Sequence, residues 1–580
     1  MENNVKNLIE FFKKEYNYEH SNHNKQPKYL YYDNQQIFIR TLEKCHKNKY
    51  FNISIDNNNL DKKSKLLTQI DENNKIIISY DNTAILYITD YNWNKYQEEY
   101  KKYSNILFIG PVKDIGNNWL YNCNKIKKID FFGLTNLLNI GNYWLSNCCN
   151  LEIIDFNGLC NLLSVGNFWL SDNNISKINF NGLYKLEKVG HCWLHVSNKL
   201  ESINFTSLNN LQNIGDWWLS ICKKLKYINF NGLSNLGYIG NRWLSQCCNL
   251  ESITFTGLIN LRIVDDYWLS ECKNLKNINF DSLTNIEYIG DWWLSECDNL
   301  ESINFNGLDK LLSVGDWWLN RCVKLENINF NSLTNLVSVG NGWLKNCNNL
   351  KIINFIGLIS LKEVGHGWLF ECAKLHTVDF NGLFNLEEVG DWWLSTCVKL
   401  EYINFSILSK LKKVGNDWLS KCNNIKQINF NGLYLLEEVG YNWLHSCINL
   451  EEVNFNGLSN LTHVRNWWLS GCKNLQKINF SDLSSLYYVG IGWLSKCKKI
   501  ENIDFNSLTN LTIVGELWLS ECSNIKTLDC RYLNNLTNVG SNWLHKSSKL
   551  RIIYINNLFE VKLINRLLSK YPYIKFIKAL

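Results

Sequence analysis

Fifteen cysteines stand in one register: Cys123, Cys148, Cys222 and then every 25 residues to Cys522. Thiols at a fixed spacing can cross-link or hold a metal. The pattern argues against both. A disulfide framework puts cysteines at irregular spacings in a short secreted chain. Copies in adjacent units would sit about 5 Å apart, close enough to bridge, but pairing along the column would distort it. The register also admits Asn173, Ser197 and Ser547, so it asks for a small side chain. No Cys-x-x-Cys occurs and no histidine shares the register, so zinc has no ligand set. The expectation is a column of buried free thiols acting as small hydrophobes.

A second series could carry carboxylate chemistry: Asn142, Asp216, Asn241, Asp266, Asp291, Asp316, Asn341, Asp391 and Asn416 each follow a glycine or its equivalent. Such residues are also the preferred N-caps of short helices, and that role is expected here. His195, His445 and His545 share one position of the period and read as drift within it. No phosphate loop, nucleophile elbow or carboxylate–histidine constellation interrupts the repeat. No catalytic residue, cofactor site or metal site is expected.

These residues belong to a unit seen cleanly in residues 290–314, with apolar Trp293, Leu294, Cys297, Leu300, Ile303, Phe305, Leu308, Leu311 and Val314. Its Trp-Leu pair recurs 18 times from Trp119 to Trp543, and only the step from Trp169 to Trp193 is 24 residues. A fixed period of this length means a stacked array, in which each unit packs on its neighbours and the core grows along one axis. The fold class expected is an α/β repeat solenoid, a leucine-rich-repeat-like stack of 18 units. Each unit reads as a short strand (Leu300–Phe305), a second extended edge (Leu308, Leu311, Val314) and a short helical turn (Asp291–Cys297). The glycine that follows the second edge suggests a positive φ.

The period sets the domain boundaries. Residues 1–103 lack it and read as a small α+β capping domain, with a helix over Val5–Tyr16 and strands at Ile76–Tyr80 and Ala84–Ile88. Residues 104–548 are the solenoid, and 549–580 a half-repeat closed by a helix at Lys562–Ser569. An apolar fraction of 46% supplies a continuous core. A net charge of +6 on 114 charged side chains gives no clustered basic face, so nucleic acid is not an expected partner. No run of 18 apolar residues and no signal-peptide pattern occur, so the expectation is an intracellular, cytoplasmic protein with no membrane span.

The order Leu-x-x-Ile-x-Phe-x-x-Leu-x-x-Leu-x-x-Val-Gly-x-x-Trp-Leu-x-x-Cys, carried in one copy by Leu300, Ile303, Phe305, Leu308, Leu311, Val314, Gly315, Trp318, Leu319 and Cys322, resembles the BspA-like leucine-rich repeat. The resemblance covers about residues 104–565. The chain departs from it by placing Trp-Leu where the family has a small residue and Phe, and mostly Asn where the family has Pro after the strand. The Asn- and Lys-rich, Pro-poor style is similar to repeat proteins of large DNA viruses or protists. The resemblance implies a leucine-rich-repeat solenoid with roles in protein binding and adhesion.

Function is then sought on outward columns. Asn recurs before the strand Phe, from Asn179 to Asn479, and is expected to form an amide ladder along the stack. The column before the repeat Trp varies freely, and its Arg, Asp, Asn and Gly imply contact with solvent. Its aromatics Trp217, Tyr267, Trp292, Trp317, Trp392 and Trp467 are the candidate partner-binding strip. The expected function is a non-catalytic protein-binding scaffold. The alternative is a surface or particle-associated adhesin that binds glycan through the strip.

Overall fold

Alternation over Leu300–Phe305 buries Ile303 and Phe305 and exposes Ser302 and Asn304, and the strand Ser302–Asn304 forms there. The second edge is also a strand, Ser313–Val314, two residues long. In the computed structural model, which describes residues 76–80, 83–91, 93–555 and 573–578, both strands pair in parallel with their copies in the next turn. Ser302, Ile303 and Asn304 meet Asn327, Ile328 and Asn329. Ser313 and Val314 meet Ser338 and Val339. The chain divides into two compact units, Met1–Leu261 and Arg262–Leu580. Among the described residues, the two-residue strands number six in the first unit, from Asp114–Ile115 to Tyr238–Ile239. In the second they number twelve, from Ile263–Val264 to Asn538–Val539.

The core is aromatic. Repeat tryptophans of adjacent turns stack with ring centroids 5.1–5.7 Å apart and planes within 11°. The strand phenylalanines form a second column, inclined steeply to the first: Phe305 lies 5.2 Å from Trp318 at 63°. The two columns therefore pack as a herringbone, the edge-to-face arrangement that ring quadrupoles favour. The indole N–H groups of Trp293, Trp318, Trp343 and Trp368 are buried with no oxygen or nitrogen acceptor.

The helical turn expected over Asp291–Cys297 does not form. Among the described residues, helix is confined to Trp93–Tyr96 and Gln97–Tyr100. Instead the sign of φ alternates: Trp292, Leu294 and Glu296 have φ of 60°, 55° and 58°. Their N–H groups bond to adjacent turns: Trp292 donates to Asp316 O at 2.6 Å, Leu294 to Trp268 O at 3.1 Å and Glu296 to Asn320 O at 2.8 Å. Each left-handed non-glycine residue costs about 1 kcal/mol or more. The rung-to-rung bonds, at about 1 kcal/mol each, and complete burial of Trp293 and Leu294, at roughly 2–3 kcal/mol each, offset that cost. The same φ explains Gly342, Gly367 and Gly492 in the variable column, with φ of 71°, 73° and 76°.

The glycine after the second strand needs another explanation. Gly290 and Gly315 do not have positive φ. They lack a Cβ because the side chain and backbone of the previous turn occupy that space: a Cβ on Gly315 would meet Asp291 Oδ1, Asp291 N and Gly290 C.

The thiol column is buried and unpaired, but it is not merely apolar. Cys322 donates to Leu294 O at 3.1 Å, Cys347 to Leu319 O at 3.1 Å and Cys397 to Leu369 O at 3.0 Å. That carbonyl belongs to a left-handed leucine and has no backbone donor among the described bonds. Asn173 Nδ2 and Ser547 Oγ make the same bond, to Leu145 O at 2.6 Å and Leu519 O at 2.8 Å. The column thus takes small side chains, most of them donors to this carbonyl, while Ser197 Oγ is buried without a hydrogen-bond partner. Burial raises the Cys322 thiol to about 12, which keeps it protonated. Cys322→Val should destabilise by about 1–3 kcal/mol by orphaning the carbonyl, and Cys322→Ser by clearly less, in urea titrations. Equal losses would show that only volume matters there.

At the N-terminal side, Ile76–Tyr80 pairs antiparallel with Thr83–Tyr87, and Thr83–Tyr87 pairs in parallel with Asn105–Ile109. The sheet of the solenoid is thus extended by strands that precede the visible period, and the described part is not an α+β domain. Phe108 already sits in the Phe column, 6.0 Å from Phe131. The helices expected at Val5–Tyr16 and Lys562–Ser569 lie outside the described residues. Lys575–Lys578 adds a strand beside Ile552–Ile555.

Candidate recognition surface

Three outward columns can now be assigned. The Asp/Asn series after the glycine caps no helix, because there is none to cap. Each side chain instead accepts the backbone N–H of its counterpart one turn on: Asp316 N donates to Asp291 Oδ1 at 2.8 Å, Asn341 N to Asp316 Oδ1 at 2.7 Å and Asn416 N to Asp391 Oδ1 at 2.7 Å. His191 and His366 fill the position with Nδ1 as acceptor, from Asp216 N at 3.0 Å and Asp391 N at 2.8 Å. Burial raises the Asp291 pKa, opposed by the Asp316 N–H and reinforced by Asp266 and Asp316. The folded chain therefore holds this proton more tightly than the unfolded chain. The associated stability is present below the usual carboxylate range and is lost as pH rises through it. Asp291→Asn keeps the acceptor and removes the charge. It should raise the melting temperature at pH 7 and leave it unchanged at pH 3, and a loss at pH 7 would contradict this account.

The Asn series before the strand Phe is not an axial ladder. Its Oδ1 accepts the N–H two residues on: Asn306 N donates to Asn304 Oδ1 at 3.1 Å and Asn331 N to Asn329 Oδ1 at 2.9 Å. Asp379 does the same with Asn381 N at 3.0 Å. These are Asx turns that fold the chain from the first strand toward the second.

The aromatic strip is partly assembled. Tyr267, Trp292 and Trp317 stack face to face, at 5.6 Å and 3° and then 5.2 Å and 22°. The far face of Trp317 meets Gly342, where a Cβ would touch the ring, with Lys345 Nζ 5.2 Å from the centroid. Trp467 packs likewise against Gly492. Trp217 lies beneath the Arg242 guanidinium at 4.4 Å. Trp392 is 45% exposed, with its ring 6.3 Å from His366 and 6.4 Å from Phe370, while the other five are half-buried. Ring faces are thus engaged by neighbouring turns, and ring edges reach solvent.

The sequence reading missed the outward column of the second strand. In the second unit it lines a groove of about 760 Å³ with a floor of Val339, Val364, Val389 and Val414. Its wall carries Glu363, Glu388, Lys413 and Glu438. Lys413 Nζ is 3.7 Å from Glu388 Oε1. Arg465 Nη2 is 2.6 Å from Glu438 Oε1, and its guanidinium lies 5.8 Å from the Tyr441 ring centroid. The available signal was column variance: buried positions of the unit barely change, and this one reads Tyr288, Ser313, Ser338, Glu363, Glu388, Lys413, Glu438 in succession. Among the described residues, no group of His, Cys, Asp or Glu is placed to hold a metal, and no helix is long and apolar enough to cross a membrane.

The profile of the BspA type Leucine rich repeat region matches residues 94–192, 190–309, 262–383, 359–469 and 437–566. The chain belongs to the BspA-type leucine-rich repeat family. Among solved structures, the BspA-type array is similar to a leucine-rich repeat protein from Bacteroides ovatus, at 18% identity over 80% of this chain and 98% of that one, TM-score 0.38. It is also similar to a leucine-rich cell surface protein from Faecalibacterium prausnitzii, at 13% identity over 70% and 93%, TM-score 0.30. A third is the functional domain of InlJ from Listeria monocytogenes, which includes a cysteine ladder, at 14% identity over 69% of each chain, TM-score 0.21. No curated protein matches the sequence.

Proposed function

We propose that this chain is a non-catalytic scaffold that binds a protein partner through the groove of its second unit. The observation that carries the proposal is where variation falls. Core, thiol and Asx positions are committed to stacking, while the groove wall changes from turn to turn and so can hold an address. Proteins of this kind generally bind proteins or serve as surface scaffolds. Trp392 immediately follows the groove residue Asp391, so its exposed ring is assigned to the rim, where aromatic residues concentrate binding energy. The half-buried edges of Tyr267, Trp292 and Trp317, and of Trp217 and Trp467, are secondary contacts in this reading. The unpaired buried thiols fit a reducing, intracellular setting.

The test is affinity capture with the intact chain and two variants, Glu363→Lys/Glu388→Lys and Trp292→Ala/Trp317→Ala. The charge reversal should remove partners that the wild type retains, and the aromatic pair should weaken them less. Capture of the same proteins at equal yield by all three chains would overturn the assignment.

A further inference from the structure

A second groove, of about 560 Å³, follows the first strand over residues 277–354 of the second unit. Its lining contains no charged side chain. The same columns carry charge elsewhere in this unit, at Asp379, Glu452, Lys477 and Asp529, and are neutral again at Tyr402, Asn404, Gln427 and Asn429. Within it, Asn304, Asn329 and Asn354 are exposed, and each Oδ1 is fixed by an Asx turn, from Asn306, Asn331 and Ile356. The amide orientation is therefore set, and each Nδ2 is left as an outward donor with no recorded hydrogen bond. Ser302 and Asn327, two residues earlier on the same face of their strands, also face solvent, with Ile303 buried and Ile328 half-buried between the two polar rows.

We propose that this groove binds one chain of a linear, neutral hexose polymer. The footprint favours a narrow ligand over a folded partner. Four rungs at about 4.8 Å by one three-residue strand of about 10 Å give roughly 200 Å². A stable protein interface needs about 800 Å² on each side. Charge excludes nucleic acid and acidic or basic polymers, since nothing in the lining would balance them. Spacing disfavours an extended peptide, whose groups on one side recur about every 6.6 Å, against about 4.8 Å for the rungs. A glycan chain offers hydroxyl acceptors on every ring and C–H faces for the half-buried Ile278 and Ile328. The repetition of the donors, which carries no address for a protein, suits a ligand that itself repeats. This site is independent of the protein-binding groove.

The test uses the full chain with cello-hexaose and malto-hexaose, followed by isothermal titration calorimetry. The variant is Asn304→Asp/Asn329→Asp/Asn354→Asp. Aspartate already makes this Asx turn at Asp379, with Asn381 N at 3.0 Å, so the fold is retained while the donors are lost. Melting temperature and circular dichroism confirm that retention, and a conservative Asn329→Gln chain provides a second reading if the triple variant is unstable. One of the two glycans should bind, with affinity reduced about tenfold or more in the variant and unchanged in Trp292→Ala/Trp317→Ala. Failure of both glycans to bind at millimolar concentration would overturn the proposal. So would equal binding by the variant, or displacement by an uncharged Asn/Ser peptide. Each of these results leaves the capture experiment on the first groove unaffected.

Discussion

Trp318→Ala is expected to lower stability by about 3–5 kcal/mol. Trp318 is fully buried. It stacks on Trp293 and Trp343 at 5.3 Å each, and meets Phe305 at 5.2 Å and Phe330 at 6.0 Å. Truncation removes the contacts of both columns together and leaves a cavity that neighbouring turns can close only by abandoning register. Because each turn contacts only its neighbours, the damage should stay local. Hydrogen exchange should accelerate in the turns around Trp293, Trp318 and Trp343 before it does near Trp468. Trp318→Phe keeps an aromatic ring in the herringbone and loses the unpaired N–H, so it should recover most of the loss. A loss below about 1 kcal/mol for the alanine variant would show that the columns are ordered by the backbone ladders and not by ring packing.

The second large effect is expected at a residue with no side chain. Gly315→Ala should destabilise by about 3 kcal/mol, at the upper end for overpacking. The new methyl would occupy the position of Asp291 Oδ1 and lie 2.7 Å from both Asp291 N and Gly290 C. Two controls separate crowding from chain entropy. A Cβ on Gly237 would find only Asn260 O, at 3.9 Å, so Gly237→Ala should be neutral or slightly stabilising. Removing the carboxylate, in Asp291→Ala/Gly315→Ala, should restore only part of the loss because the backbone contacts remain. Full rescue would mean that the Asp291 side chain alone imposes the glycine. Differential scanning calorimetry on the four chains distinguishes these outcomes.

The stack, its period and its two extended edges were legible because burial alternates in strands and the same apolar residues return every 25 positions. The third side was misread for a physical reason. Trp293, Leu294 and Cys297 are spaced as on one face of a helix, but an alternating-φ run puts the same residues inside. An apolar pattern records which residues are buried and does not record the sign of φ. The sign was present elsewhere: Gly342, Gly367 and Gly492 share a position with Asn118 and Asp417, all types that tolerate φ > 0. The Asx residues were correctly read as acceptors for backbone N–H, but given the wrong donor. The cysteine column was correctly read as small and buried. Its donor role was visible in its substitutes, Asn173 and Ser547, which are polar where Ala or Val would have served a purely apolar site. The grooves were not legible, because side-chain variance locates a surface only once the turns have been placed side by side.

The indole stack also has an optical consequence. In the second unit, parallel rings about 5.3 Å apart are close enough for excitation absorbed by one tryptophan to migrate to the next. Emission should then report the whole column as one chromophore, and because the rings are nearly parallel the transfer should leave the polarisation largely intact. Breaking the stack at Trp318 would divide the column into two emitters, so the tryptophan emission spectrum could follow the intactness of the solenoid.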